Sequence, residues 1–316
     1  MFNFRFSGIA ALACVTWIFS SGTAVAQQAP APAGVPARIV VTAEPRHGST
    51  VPVINREDVK VMQGKERQTV TEWIPALGDN AGLELFILID DQSSTTLGTQ
   101  LEDIRQFINT QPPTTKVGVA YMQNGIARVL QDLTTDHGQA AKSLRLPLGA
   151  GGADASPYFA LSDLVKKWPA SNARRSVLMI SDGIDRFYGS GDTEDPYLLA
   201  AIDDAVRSGT IVSAIYMPGA GHFAHSYWQT YWGQIYLSEL ADKTGGEAYY
   251  IGFTGAPVSF SPYLDDLDHR LGHQYLLTFL ATPPKKSGFV QVKISTEVQN
   301  VDLISAGRVW VPAAER

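Results

Sequence analysis

Two uninterrupted apolar runs, each ending in acid, constrain this chain more than anything else in it. Leu85–Ile89 reads LFILI and runs into Asp90-Asp91; Ser176–Ile180 reads SVLMI and runs into Ser181-Asp182-Gly183. A strand with one wet face alternates apolar and polar residues, so runs without alternation belong to central parallel strands covered on both faces. Parallel neighbours require crossovers, and segments of helical spacing separate the strand-like runs: Thr99–Ile108, His137–Leu144, Tyr158–Trp168, Tyr197–Arg207, Ile235–Lys243 and Tyr263–Leu271. Lys116–Met122 and Ala127–Leu130 read as a strand pair around Asn124-Gly125, and Thr210–Tyr216 and Glu247–Ile251 as further strands. The pattern predicts an α/β fold with a doubly wound, mainly parallel sheet.

The flanks differ. Arg38–Ala43, Asp58–Gln63 and Arg67–Trp73 precede that pattern, and Gln274–Ala281, Phe289–Ser295, Val301–Ser305 and Arg308–Val311 follow it, with no helical segment among either set. They predict a small flanking β body built from residues 38–80 and 276–316 around an α/β domain of residues 81–275. Residues 1–26 read as a signal peptide: Arg5 is the only charge, Gly8–Ser20 is apolar, and Ala24-Val25-Ala26 is a small-x-small cleavage site. The expectation is export to the periplasm or beyond, with a Pro/Ala linker over residues 27–37 and no transmembrane segment in the mature chain. Cys14 is the one cysteine, so the mature chain has no disulfide and no thiol chemistry. A net charge of −6 gives no electrostatic case for nucleic acid.

In open α/β sheets ligands bind at the carboxyl ends of strands where the strand order reverses. Asp90, Asp91 and Asp182 stand at such ends, with Ser93, Ser94 and Thr95 just beyond. Carboxylates and hydroxyls together suit a hard cation, Mg²⁺ or Ca²⁺. ILIDDQSST, GGADAS (Gly151–Ser156), VLMISDG and LSELADKTGGEAYYI (Leu237–Ile251) resemble the von Willebrand factor A family, and the flanks resemble those of exported bacterial proteins carrying that domain. The resemblance implies a metal-ion-dependent adhesion site, whose ion keeps one coordination position for a partner's carboxylate. The family's Asp-x-Ser-x-Ser pattern fits in two registers, Asp90-Gln92-Ser94 or Asp91-Ser93-Thr95. Its loop threonine is replaced, leaving Ala153, Asp154 or Ser156 to serve. The alternative is a degenerate site whose acids cap loops and helix N-termini. Without an ion, relief of carboxylate repulsion makes Asp182→Ala an expected stabiliser.

Gly219–Gly233 reads as a loop inserted after the Thr210–Tyr216 strand, on the edge that carries the acids. Tyr227, Trp228, Tyr231 and Trp232 on it are candidate partner-binding residues, the alternative being that they pack onto their own domain. His222 and His225 form H-x-x-H without a third ligand, an arrangement that is usually solvated. A Mg²⁺-dependent aspartyl phosphotransfer enzyme would need a second acid where Gln92 or Ser93 stands, and a late-strand lysine that Tyr216-Met217-Pro218 does not offer. No G-x-S-x-G elbow marks a serine hydrolase. The sequence therefore predicts an extracytoplasmic protein-binding or adhesion module rather than an enzyme, with an envelope scaffold as the alternative.

Overall fold

The computed structural model describes residues 34–149, 156–189, 194–220 and 226–313. The signal segment and most of the Pro/Ala linker lie outside these residues, as do Ala153, Asp154, His222 and His225.

Three N-terminal strands, β1 (Val35–Pro45), β2 (Val59–Gln63) and β3 (Glu66–Pro75), precede the α/β body. That body runs β4 (Leu83–Asp90), α1 (Leu101–Thr110), β5 (Thr115–Gln123), β6 (Ile126–Thr134), α2 (His137–Lys142), α3 (Pro157–Lys167), β7 (Arg174–Ser181), α4 (Pro196–Ser208), β8 (Thr210–Tyr216), α5 (Tyr227–Thr244), β9 (Ala248–Tyr249) and α6 (Ser261–Gly272). Four C-terminal strands follow: β10 (Gln274–Ala281), β11 (Gly288–Thr296), β12 (Val301–Ile304) and β13 (Arg308–Val311).

The α/β sheet has the order β6-β5-β4-β7-β8-β9. All neighbours are parallel except the edge pair β5–β6, a hairpin turned by Asn124 at φ 50° and Gly125 at φ 74°. Both turn residues sit in the left-handed region that a tight hairpin of matching twist requires. Every residue of β4 and β8 is buried, as the unalternating runs require. One face of the sheet packs Leu85, Ile87 and Ile89 against Ile104, Phe107, Leu264 and Leu267 of α1 and α6; the other packs Phe86, Leu88, Val177 and Met179 with residues of α3, α4 and α5. The chain leaves β4 toward β5 on one side and returns through β7 on the other, so the order reverses between β4 and β7.

The β body takes up all seven flanking runs and is not small. It is one seven-stranded antiparallel sheet of order β12-β1-β10-β3-β2-β11-β13. Its edge strands β12 and β13 are joined only by Ser305-Ala306-Gly307, which reaches at most about 14 Å, whereas the edges of a flat seven-stranded sheet stand about 29 Å apart. The sheet must therefore curl until its edges approach each other, and Val292 N–H donates to the Gly307 carbonyl at 2.9 Å, continuing the β11–β13 pairing into the joining turn. The α6 helix runs straight into β10, and ionic contacts tie the bodies there: Arg270 of α6 pairs with Glu44 of β1, and Arg308 of β13 with Asp203 of α4. Among the described residues no helix is long and apolar enough to cross a membrane.

Candidate functional site

The reversal point is lidded. Loops leaving β4 and β8 meet across the end of β7: Ser94 N–H donates to the Pro218 carbonyl at 2.9 Å, Ala220 N–H to the Gln92 carbonyl at 2.8 Å, and Ser93 bridges to Gly219. Beneath them Asp90 is 4% exposed and Asp182 is 2% exposed.

Asp90 turns toward β7. Its Oδ2 accepts from the Ser181 hydroxyl at 2.8 Å and its Oδ1 from Gln92 N–H at 2.9 Å. Burial, then the charge of Asp182, push its pKa up to about 6 against hydrogen bonds and the Arg186 charge that lower it. Asp182 lies on the turn that follows β7. Ile184 N–H donates to its Oδ1 at 3.0 Å, and the Arg186 Nη2 donates to its Oδ2 at 2.5 Å. Arg186 is itself largely enclosed, its side chain 18% exposed. Desolvation opposes its charge, but Asp182 and Asp90 outweigh that and hold the guanidinium more firmly protonated.

Asp91 points the other way, as successive residues of a strand must. Arg145 grips it at both oxygens, Nη1 to Oδ1 at 2.6 Å and Nη2 to Oδ2 at 2.7 Å, with Gln123 and Leu148 N–H adding to the shell. Burial raises its pKa, yet the Arg145 and Gln123 bonds prevail and hold the carboxyl below its ordinary range.

No family model and no curated protein matches this sequence. Solved structures are similar at low identity. An aerotolerance-related membrane protein from Bacteroides fragilis, carrying multiple mutations to serine, is 16% identical over 60% of this chain and 98% of its own, with a TM-score of 0.44. The conserved hypothetical protein BatB from Bacteroides thetaiotaomicron is 13% identical over 60% and 97%, with a TM-score of 0.43. A von Willebrand factor type A protein from Catenulispora acidiphila is 12% identical over 89% and 75%, with a TM-score of 0.44. The strand order, the antiparallel edge and the acids at the reversal point stand on this chain's own geometry. The α/β body has the doubly wound, mainly parallel architecture that the resemblance to the von Willebrand factor A family implies, an A-type body in that sense.

Of the residues that the resemblance assigns to an ion in the A-type body, Asp90 and Asp182 come together and the others disperse. Asp91 is held by Arg145. Ser94 caps the short helical turn after it, its Oγ accepting from Thr96 N–H at 3.3 Å. Thr95 is exposed. Ser156 gives its hydroxyl to Asp185 at 2.6 Å. Ser93 alone keeps a buried Oγ with no partner among the described residues. Among the described residues no group of three or more His, Cys, Asp or Glu is placed to hold a metal. As folded, this donor set does not fit a divalent ion: a guanidinium already lies against Asp182, and both acids are shut off from solvent. The four-residue spacing of Arg186 from Asp182 is a local signal for their pairing; Arg145 carries none, since only the fold brings it to Asp91.

Asp90 carries a pH consequence. Its folded pKa of about 6 lies above the ordinary value, so its ionisation opposes folding. The native state holds the proton more tightly, and stability from this group is present below about pH 4 and falls by about 3 kcal/mol as pH rises through 6. Asp90→Asn keeps an acceptor for Gln92 N–H and offers its amide to Ser181. It is expected to stabilise the protein at pH 7 by about 1–3 kcal/mol and to do nothing at pH 4. Urea unfolding at both pH values checks this; equal effects at the two would refute it.

The segment carrying the aromatic residues is not a loop over Tyr227–Gly233 but the first turns of α5. Ser226 and Gln229 form a reciprocal capping box at its start. Gly233 lets the helix touch the turn after β7: a Cβ on it would stand 2.4 Å from the Asp182 carbonyl, and one on Gly183 2.3 Å from the Gly233 carbonyl. This backbone contact sets α5 beside the acid pair. Tyr227, Trp228 and Tyr231 are 70%, 66% and 47% exposed and touch one another through their rings. Trp232 differs, being partly buried against the core. It lies one turn beyond Trp228, at the margin of the exposed face, and its packing against the core takes it out of the candidate binding set. Tyr227, Trp228 and Tyr231 form one aromatic rim; Phe187 and Tyr188, on the turn carrying Arg186, are also exposed and make edge contacts with Tyr197. The sequence reading missed them because that turn showed no periodicity.

Proposed function

We propose that this chain is an exported protein-interaction module whose partner docks on the carboxyl edge of the A-type sheet. One observation carries the reading: Tyr227, Trp228 and Tyr231 stand in solvent at that edge, on a helix whose start is capped and whose position is locked at Gly233. Rigid exposed aromatic side chains lose little conformational freedom on contact and dominate binding hot spots. Export rests on Arg5, the apolar run and Ala24-Val25-Ala26. Binding is favoured over aspartyl phosphotransfer because Asp91 and Asp182, acids such chemistry would draw on, are each paired with an arginine.

The test uses the full mature chain and partner recovered from the envelope fraction. Tyr227→Ala with Trp228→Ala is expected to weaken association at least about 30-fold, the factor for 2 kcal/mol, while the melting temperature moves by less than about 2 °C. Trp232→Ala is the contrast, lowering the melting temperature through lost packing. Undiminished association of the double variant would shift the interface to another surface and sink this assignment.

A further inference from the structure

We propose that Arg186 is the built-in cation of the acid centre, standing where a divalent ion would stand in a metal-dependent site, so that the native chain takes up no ion there.

Three observations carry this. The Arg186 guanidinium spans both oxygens of Asp182, with Nη2 at 2.5 Å from Oδ2 and Nη1 at 3.4 Å from Oδ1, and lies near enough to Asp90 for the two charges to act on each other. The turn that delivers it is built for the purpose: Asp185, fully buried, accepts from the Phe187 and Tyr188 N–H groups, both at 2.8 Å, which fixes the backbone on either side of Arg186. The loops from β4 and β8 then close over the pair. A divalent ion would have to expel a guanidinium from Asp182, whose carboxylate, like that of Asp90, is almost sealed from water. A hard cation also prefers to keep a flexible shell of oxygen ligands, and here Asp91, Ser94 and Ser156 are spent on other partners.

The inference is independent of which partner docks on the aromatic rim. Its test is calorimetric titration of the full mature chain with Ca²⁺ and Mg²⁺, alongside melting temperature against ion concentration. The native chain is expected to show no saturable binding up to about 10 mM, roughly tenfold beyond the weak end of the range for extracellular calcium modules. Arg186→Gln empties the place while keeping a polar side chain. It is expected to acquire one saturable site of about millimolar affinity, with a melting temperature that climbs with calcium. Adding Asp90→Asn to it should abolish that gain. Arg186→Lys, which keeps the charge, should still exclude the ion. Stoichiometric binding by the native chain that disappears in Asp182→Asn would overturn the proposal. So would a folded Arg186→Gln that takes no ion at any concentration. Should Arg186→Gln fail to fold, the native and Arg186→Lys titrations still decide it, since ion uptake by either contradicts a resident cation.

Discussion

Asp182→Ala is expected to destabilise the protein by about 3 kcal/mol at pH 7, because it leaves Arg186 enclosed without its closest counter-charge. The figure is at the low end for breaking a buried pair, since the Arg186 side chain keeps 18% exposure and Asp90 stays nearby. In a chain of this size that corresponds to a fall in melting temperature of roughly 6–12 °C. Carboxylate repulsion alone argues for the opposite sign, which is the sequence-based expectation. The structure reverses it by supplying one cation to two acids: Asp182 is the acid that Arg186 grips, and Asp90 is the surplus negative charge. The two substitutions should therefore move stability in opposite directions at neutral pH. Thermal unfolding of both variants side by side measures this, and an Asp182→Ala protein as stable as the parent would mean that the ion pair contributes nothing.

Gly233→Ala should cost about 3 kcal/mol or more, although alanine normally stabilises a helix interior by about 1 kcal/mol relative to glycine. The added methyl would stand 2.4 Å from the Asp182 carbonyl and 2.9 Å from Ile184 Cγ1. The first obstacle is backbone, so no rotamer change relieves it. Either α5 must retreat or the turn after β7 must move, and the second course disturbs Asp182 and Arg186. Urea unfolding reads the cost, and tryptophan fluorescence reads the shift of the helix that carries Trp228 and Trp232. A Gly233→Ala chain that gains stability would show that the contact between α5 and the β7 turn is looser than described.

The fold was legible where burial alone dictates sequence. LFILI and VLMI have no polar residue to turn toward water, and both are central strands between helix layers. Asn124-Gly125 was legible because few residues adopt a left-handed φ in succession. The site was less so, for a physical reason. A one-residue change of register swaps the side to which a carboxylate points, and only neighbours on β5 and β7 reveal it: Ser181 meets Asp90, while Gln123 and Arg145 meet Asp91. Arginine partners arriving from elsewhere in the chain leave no local pattern. The Tyr227–Trp232 segment misled because its aromatic residues occur on both faces of α5, which blurs the period by which a helix is recognised. Its cap, Ser226 with Gln229, was the signal available.

The interleaving of the β body bears on the order in which this protein can assemble. Val35 of the first strand pairs with Ala281, and Pro45 with Val301, so β1 has no partner until nearly the whole chain has been made. The A-type body, whose strands pair almost wholly among themselves, has all its segments present much earlier. A chain emerging from its N-terminus must therefore carry β1 unpaired and the β2–β3 hairpin without its other neighbours, with Val41, Val59 and Val61 bare, while the central body forms behind them. Closure of that sheet by β10 to β13 is then the last event of folding, and the stage at which a holdase or an inopportune strand from another copy could intervene.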